Sequence, residues 1–151
     1  MKLRKPERRN DHEIELAVII GKRANKVKAA DALDYVAGYA MGLDMTIRGP
    51  ELQSFRKSVD TYAVCGPWMV TKDEIADPNN LNLKIAVNGA PRQDANTSDL
   101  VFNVHQLIEY ATEWYTLLPG DIILTGTPEG VGPVRPGDVM NCEIEGIGKF
   151  D

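Results

Sequence analysis

The chain has 151 residues, of which 43% are hydrophobic and 26% charged, a size and balance that suit one folded domain with a real core and exclude a disordered or membrane-embedded chain. A net charge of -5 and a pI near 5.1 disfavour any general electrostatic hold on nucleic acid, although five of the first nine residues are Lys or Arg. Residues 1–11 are therefore expected to be a solvated basic arm ahead of a core running over 12–151. No segment approaches the ~20 apolar residues of a membrane span, and the basic start leads into charged RRNDHE rather than an apolar leader, so a soluble protein is expected. Cys65 and Cys142 are far apart and too few for a disulfide framework, which fits two core thiols in a reducing cytoplasm.

In chain order, HEIELAVII alternates and then turns wholly apolar, the pattern of a strand whose end enters the core. Glu13 and Glu15 then share one face and Ile14, Leu16 and Val18 the other. ADALDYV reads as a short helix capped by Asp31, and AGYAMGLDMT as a returning strand. Between Arg48 and Val70, Gly49, Pro50, Gly66 and Pro67 break both periods, so a long functional loop with a short strand is expected. LNLKIAVNG is a half-buried strand running into an Asn88-Gly89 hairpin turn. Val104, Leu107, Ile108, Ala111 and Tyr115 fall on one helical face. DIILTGT opens into a glycine-rich loop, and RPGD turns the chain into a last strand, VMNCEIEG. Strands are not regularly alternated with helices, so the predicted class is α+β, β-rich.

Two carboxylates on one strand face ordinarily serve solubility. Asp44, at the end of what reads as a neighbouring strand and followed by Thr46 and Arg48, adds a third. Three hard oxygen donors without a His or Cys constellation suit Mg²⁺ or Mn²⁺ rather than zinc, though spacing alone does not require an ion. His12 should alternate to the face opposite Glu13, and His105 sits at a helix start; neither reads as a catalytic base. Asp60 and Trp68 read as scaffold. The TGTPEG loop lacks the lysine and spacing of a P-loop.

Five segments in register, HEIELAVIIGK, DYVAGYAMGLDMTIR, RKSVDTYAVCGPWMVT, LKIAVNGAPRQDANTSDLVF and LLPGDIILTGTPEGVGP, resemble the successive motifs of the fumarylacetoacetate hydrolase family. The resemblance implies a mixed β-sandwich roll of the kind formed by that family's C-terminal domain, and a homodimer, for which the apolar GPWMV segment is a candidate contact. It implies Glu13, Glu15 and Asp44 as ligands of Mg²⁺ or Mn²⁺, and Lys57 beside them, where a cation can hold the ligand carboxylates or meet developing charge. It places Arg48 after the aspartate ligand as a partner for a carboxylate, with Thr127 and Gln93 among the groups that face or brace a small 2-oxo acid.

The implied activity is enolate-forming chemistry by an isomerase, decarboxylase or hydratase of aromatic-compound catabolism. A carbon–carbon hydrolase of acylpyruvate or fumarylacetoacetate type is the alternative, and a non-catalytic metal and metabolite binding domain a third. The pattern departs from the family in two places. Arg48-Gly49-Pro50-Glu51 stands where many members read R-D-x-Q, so a negative Glu51 is expected to alter affinity for an anionic substrate. The hydrolases' water-activating His and Glu pair, carried on a short lid helix, has no helical HxxE counterpart here, and the core is expected to be incomplete at both ends.

Overall fold

The computed structural model describes residues 1–151, and its regular structure is mostly strand. β1 (Asn10–His12) and β2 (Ile14–Ile20) follow one another through Glu13. A 3-10 helix at Ala29–Tyr35 delivers the chain into β3 (Val36–Asp44), which is followed by the two-residue β4 (Thr46–Ile47). α1 (Gln53–Lys57), β5 (Ala63–Cys65) and β6 (Val70–Thr71) come next. β7 (Asn82–Val87) and β8 (Ala90–Asn96) form a hairpin, and α2 (Val104–Trp114) leads to β9 (Ile122–Leu124), β10 (Gly132–Val134), β11 (Met140–Ile144) and β12 (Gly148–Phe150).

Three antiparallel sheets curl into a roll, as the β-rich α+β reading anticipates. Their orders are β5-β3-β2-β9 with β6 also on β3, β12-β11-β7-β8, and β10-β1-β4. β2 lies between β3 and β9 and is covered on both faces, which is why its second half can be an unbroken apolar run. Ile14, Leu16 and Val18 join Tyr39, Met41 and Leu43 of β3, Leu83 and Ile85 of β7 and Val104 and Ile108 of α2 in one core of 24 residues. Burying each such side chain is worth roughly 1.5–3 kcal/mol, so the β2–β3 pair is a rigid base for whatever stands on it. No helix is long and apolar enough to cross a membrane.

The hairpin between β7 and β8 turns at Asn88 (φ 52) and Gly89 (φ 78), the left-handed pair that this turn needs. β8 slips in register so that Ile85 faces Gln93 while Ala86 faces Pro91. Arg92 is the extra residue of that bulge, and the slip puts Gln93 on the buried side.

Several expectations are corrected. Residues 1–11 are not a free arm: Asn10 and Asp11 are buried in β1 between β4 and β10, while Arg4 pairs with Asp60 at 2.9 Å and Arg8 with Glu51 at 2.7 Å. Asp31 does not cap its helix; Lys28 holds that position without a side-chain bond, because the segment forms 3-10 turns beginning before Asp31. The stretch after Arg48 holds α1, a five-residue helix with no buried residue and hence no apolar period to read. On α2 the inward position is Thr112 rather than Tyr115, since the Thr112 hydroxyl donates to Ile108 O and accepts from Val27 N–H. Cys142 is buried, but Cys65 on the edge strand β5 is exposed.

Candidate metal centre

Glu13 sits at the joint of β1 and β2, Glu15 on β2 opposite Gly42, and Asp44 at the end of β3. Antiparallel pairing sets Ile14 against Leu43, and the Asp44 N–H donates to Glu13 O at 2.9 Å, so the strand register brings the three carboxylates together. One oxygen from each lies within 4.8 Å of the others.

Two cations reach in from outside the sheet. Lys57, the last residue of α1, donates to Glu13 Oε2 at 2.7 Å and to an Asp44 oxygen. Burial alone would lower the Lys57 pKa, but the hydrogen bonds and charges of Asp44 and Glu13 outweigh it, and the ammonium is held above its ordinary value. Arg48 spans two carboxylates, with Nε donating to Asp11 Oδ2 at 2.7 Å and Nη2 to Glu13 Oε1 at 2.8 Å. Arg9 grips the same buried Asp11 through Nε at 2.8 Å and Nη2 at 3.0 Å.

Glu15 has no such cation. Its Oε2 accepts from the Gly126 N–H at 2.7 Å, in a loop where Gly126 takes φ +102, a conformation that side-chain-bearing residues rarely adopt. Burial pushes the Glu15 carboxyl up to about 7, the Gly126 N–H opposes that rise and the Asp44 charge adds to it.

A raised carboxyl pKa means that ionising Glu15 opposes folding as pH climbs from the ordinary 4.5 to about 7. Glu15→Gln removes this term while keeping an acceptor for Gly126. The metal-free variant should therefore match wild type near pH 4.5 and become the more stable of the two, by roughly 3 kcal/mol at most, once pH exceeds 7. Urea denaturation between pH 4.5 and 8 measures the gap, and a gap that does not widen with pH would refute the assignment.

Thr127 and Gln93 adjoin the carboxylates through backbone. The Thr127 hydroxyl donates to Ile14 O at 2.9 Å and accepts from Gln93 Nε2 at 2.8 Å, while Gln93 Nε2 also donates to Pro128 O. Gln93 Oε1 accepts from Ile14 N–H and from His12 Nδ1 at 3.0 Å, which fixes the tautomer of the buried His12 with its proton on Nδ1. His12 thus points toward Gln93 and braces the loop, a place that simple alternation along one strand did not reveal. Beside this loop a cavity of about 500 Å³ is lined by Leu16, Leu100, Phe102, Leu107, Thr125 and Gly126 among others. Asp94, Asp99 and Glu129 also line it and no Lys, Arg or His does, so it suits the uncharged part of a ligand rather than its carboxylate.

Glu51 is held by Arg8 from two nitrogens at 2.7 and 2.9 Å, so its negative charge is paired within the chain. The hydrogen bonds from Arg8 bring the Glu51 carboxyl down to about 2. Lys57, Arg48, Glu13, Glu15 and Asp44 thus stand in one cluster, with Thr127 and Gln93 bracing the loop next to it. Asp11 and Arg9 went unnoticed in the sequence. Their signal was present, since Asp11 continues the alternation of Glu13 and Glu15.

The donor set fits a hard divalent cation: all three candidate ligands are carboxylates, they crowd within 4.8 Å, and the two cations that touch them, Lys57 and Arg48, leave their three negative charges unbalanced. A curled antiparallel roll carrying such a cluster offers a candidate carboxylate metal centre built on paired strands. The fumarylacetoacetate (FAA) hydrolase C-terminal family model matches residues 2–151, and the chain belongs to that family.

The chain is 60% identical over 142 residues to a protein of Aquipseudomonas alcaligenes named maleylpyruvate hydrolase, covering 94% of this chain and 50% of the relative. It is 46% identical over 144 residues to the 4-hydroxyphenylacetate degradation bifunctional isomerase/decarboxylase of Salmonella dublin, covering 93% of this chain and 34% of that protein. The crystal structure of maleylpyruvate hydrolase from Sphingobium sp. SYK-6 in complex with manganese(II) ion and pyruvate superposes with a TM-score of 0.91 at 48% identity, over 96% of this chain and 54% of that one. The chain thus spans about half the length, or less, of these relatives.

Proposed function

We propose that this chain is the core of a divalent-metal-dependent enzyme acting on a small 2-oxo acid, with Mg²⁺ or Mn²⁺ held by Glu13, Glu15 and Asp44. The observation that carries this reading is the convergence of those three carboxylates within 4.8 Å on a rigid strand pair. The cation, when bound, supplies a Lewis acid that favours the enolate form of a 2-oxo acid. The chain's own groups do the rest. Lys57 stays protonated between Glu13 and Asp44 and lies where negative charge develops. Arg48 has Nε and Nη2 committed to Asp11 and Glu13, which leaves Nη1 for a substrate carboxylate. The Thr127 hydroxyl proton is committed to Ile14 O, so Thr127 and Gln93 serve the substrate by fixing the loop that borders the site.

The overall reaction is an isomerisation or decarboxylation passing through that enolate. Hydrolysis of an acylpyruvate is the second reading, favoured by the 60% identity to the relative named maleylpyruvate hydrolase. The 151 residues hold no helical HxxE pair, and general acid–base assistance is typically worth ~10²–10⁴-fold, so hydrolysis is expected to lag behind enolisation. The enzyme is proposed to act as a homodimer, and the exposed Trp68 and Met69 of the GPWMV segment are available to a second copy.

NMR with Mg²⁺ in D₂O tests the enolate step. Deuterium should enter at the carbon next to the oxo group of pyruvate or oxaloacetate, while acylpyruvate cleavage stays near background. Rapid cleavage would establish the second reading, and the absence of both activities would overturn the assignment as an enzyme.

A further inference from the structure

The buried carboxylate of Asp11 belongs to none of the roles assigned above, yet it is joined to the metal centre by one side chain. We propose that Asp11 is a positioning residue: by anchoring Arg48 it sets the orientation of the Glu13 carboxylate. This rests on the metal-core reading of the same site.

Asp11 is fully buried at the middle of β1, with Pro133 of β10 on one side and Thr46 of β4 on the other. A carboxylate so placed is costly unless fully paired, and here it takes three charge-assisted hydrogen bonds from two guanidinium groups. The Arg48 N–H donates to Arg9 O at 2.9 Å, so the ladder extends past β4 and places both arginines beside Asp11. Burial by itself would raise the Asp11 pKa, but the bonds from Arg9 and Arg48 outweigh it, and the group remains an anion.

The guanidinium of Arg48 is planar and rigid. With Nε fixed on Asp11 Oδ2, its Nη2 has a defined direction, and that direction meets Glu13 Oε1 at 2.8 Å. The other Glu13 oxygen, Oε2, is held by Lys57 at 2.7 Å. Glu13 is therefore gripped at both oxygens, and its plane follows from where Arg48 is anchored. Without Asp11, Arg48 keeps a single bond and its side-chain freedom, and the plane of Glu13 is no longer set. Arg9 neutralises Asp11 from the surface side, so the effect of Asp11 on a bound cation comes through geometry more than through its charge.

Mn²⁺ titration followed by EPR, on wild type, Asp11→Asn, Arg48→Gln and the double variant, tests this without any substrate. Asp11→Asn should weaken Mn²⁺ binding by ~10–100-fold, the range for groups that orient metal ligands, and should change the spectrum of the bound ion. In the Arg48→Gln background the same substitution should add less than about twofold, because the link is already broken. Equal factors in both backgrounds, or wild-type affinity and spectrum in Asp11→Asn, would overturn the proposal. If Asp11→Asn does not fold, ¹⁵N NMR of the wild-type protein decides. A slowly exchanging arginine Nε–H that disappears in Arg48→Gln is expected, and its absence would count against the anchor. Failure of the wild-type protein to bind Mn²⁺ would instead remove the metal-core reading, which separates the two outcomes.

Discussion

Glu15→Gln is expected to lower Mn²⁺ affinity by at least about 100-fold while leaving the fold in place. Groups that only support a ligand cost 10–100-fold when changed, and removing the charge of a ligand itself belongs at or beyond the upper end of that range. The fold should survive because the new side-chain amide would still offer an oxygen to the Gly126 N–H, and because an ionised Glu15 is a burden on the metal-free protein, as its pKa of about 7 shows. Two signs therefore oppose each other. Without metal at pH 8 the variant should melt higher than wild type, and with millimolar Mn²⁺ it should melt lower, because ligand stabilisation scales with the logarithm of ion concentration over Kd. Calorimetric titration together with thermal melts reads both. Wild-type Mn²⁺ affinity in the variant would remove Glu15 from the ligand set.

Lys57→Met is expected to separate metal binding from turnover. The ammonium bonds Glu13 and Asp44, so its removal leaves two carboxylates facing each other without their shared cation, and the metal-free protein should lose stability at neutral pH. Mn²⁺ affinity should be kept or rise, since a competing positive charge has gone. The rate of deuterium exchange should nevertheless fall by ~10²–10³-fold, the loss typical of deleting one preorganised donor at a developing oxyanion. Unchanged exchange with tighter metal binding would confine Lys57 to holding the ligand carboxylates.

The sequence was most informative where one element's local pattern is enough. Alternation placed Glu13 just ahead of β2 and Glu15 on it, the Asn88-Gly89 pair marked the β7–β8 hairpin, and the apolar period marked α2. It was silent on α1, because a five-residue helix with no buried residue has no period to display, although its last residue is Lys57. It misjudged the chain start as well. A run of Arg and Lys reads as solvated in one dimension, but Glu51 and Asp60 come from elsewhere to pair with it, and Asp11 is buried beside Arg9.

By itself, then, the sequence determined the β-rich class, the family's motifs in order and the residue types able to hold a hard cation. Tertiary structure decided how those residues meet. The β2–β3 register sets the distance between Glu15 and Asp44, the bulge at Arg92 turns Gln93 inward to His12 and Thr127, and the ladder past β4 brings Arg48 to Asp11. Each of these depends on pairing between residues far apart along the chain, and a side-chain period of two says which face a residue takes but not which distant residue lies opposite it.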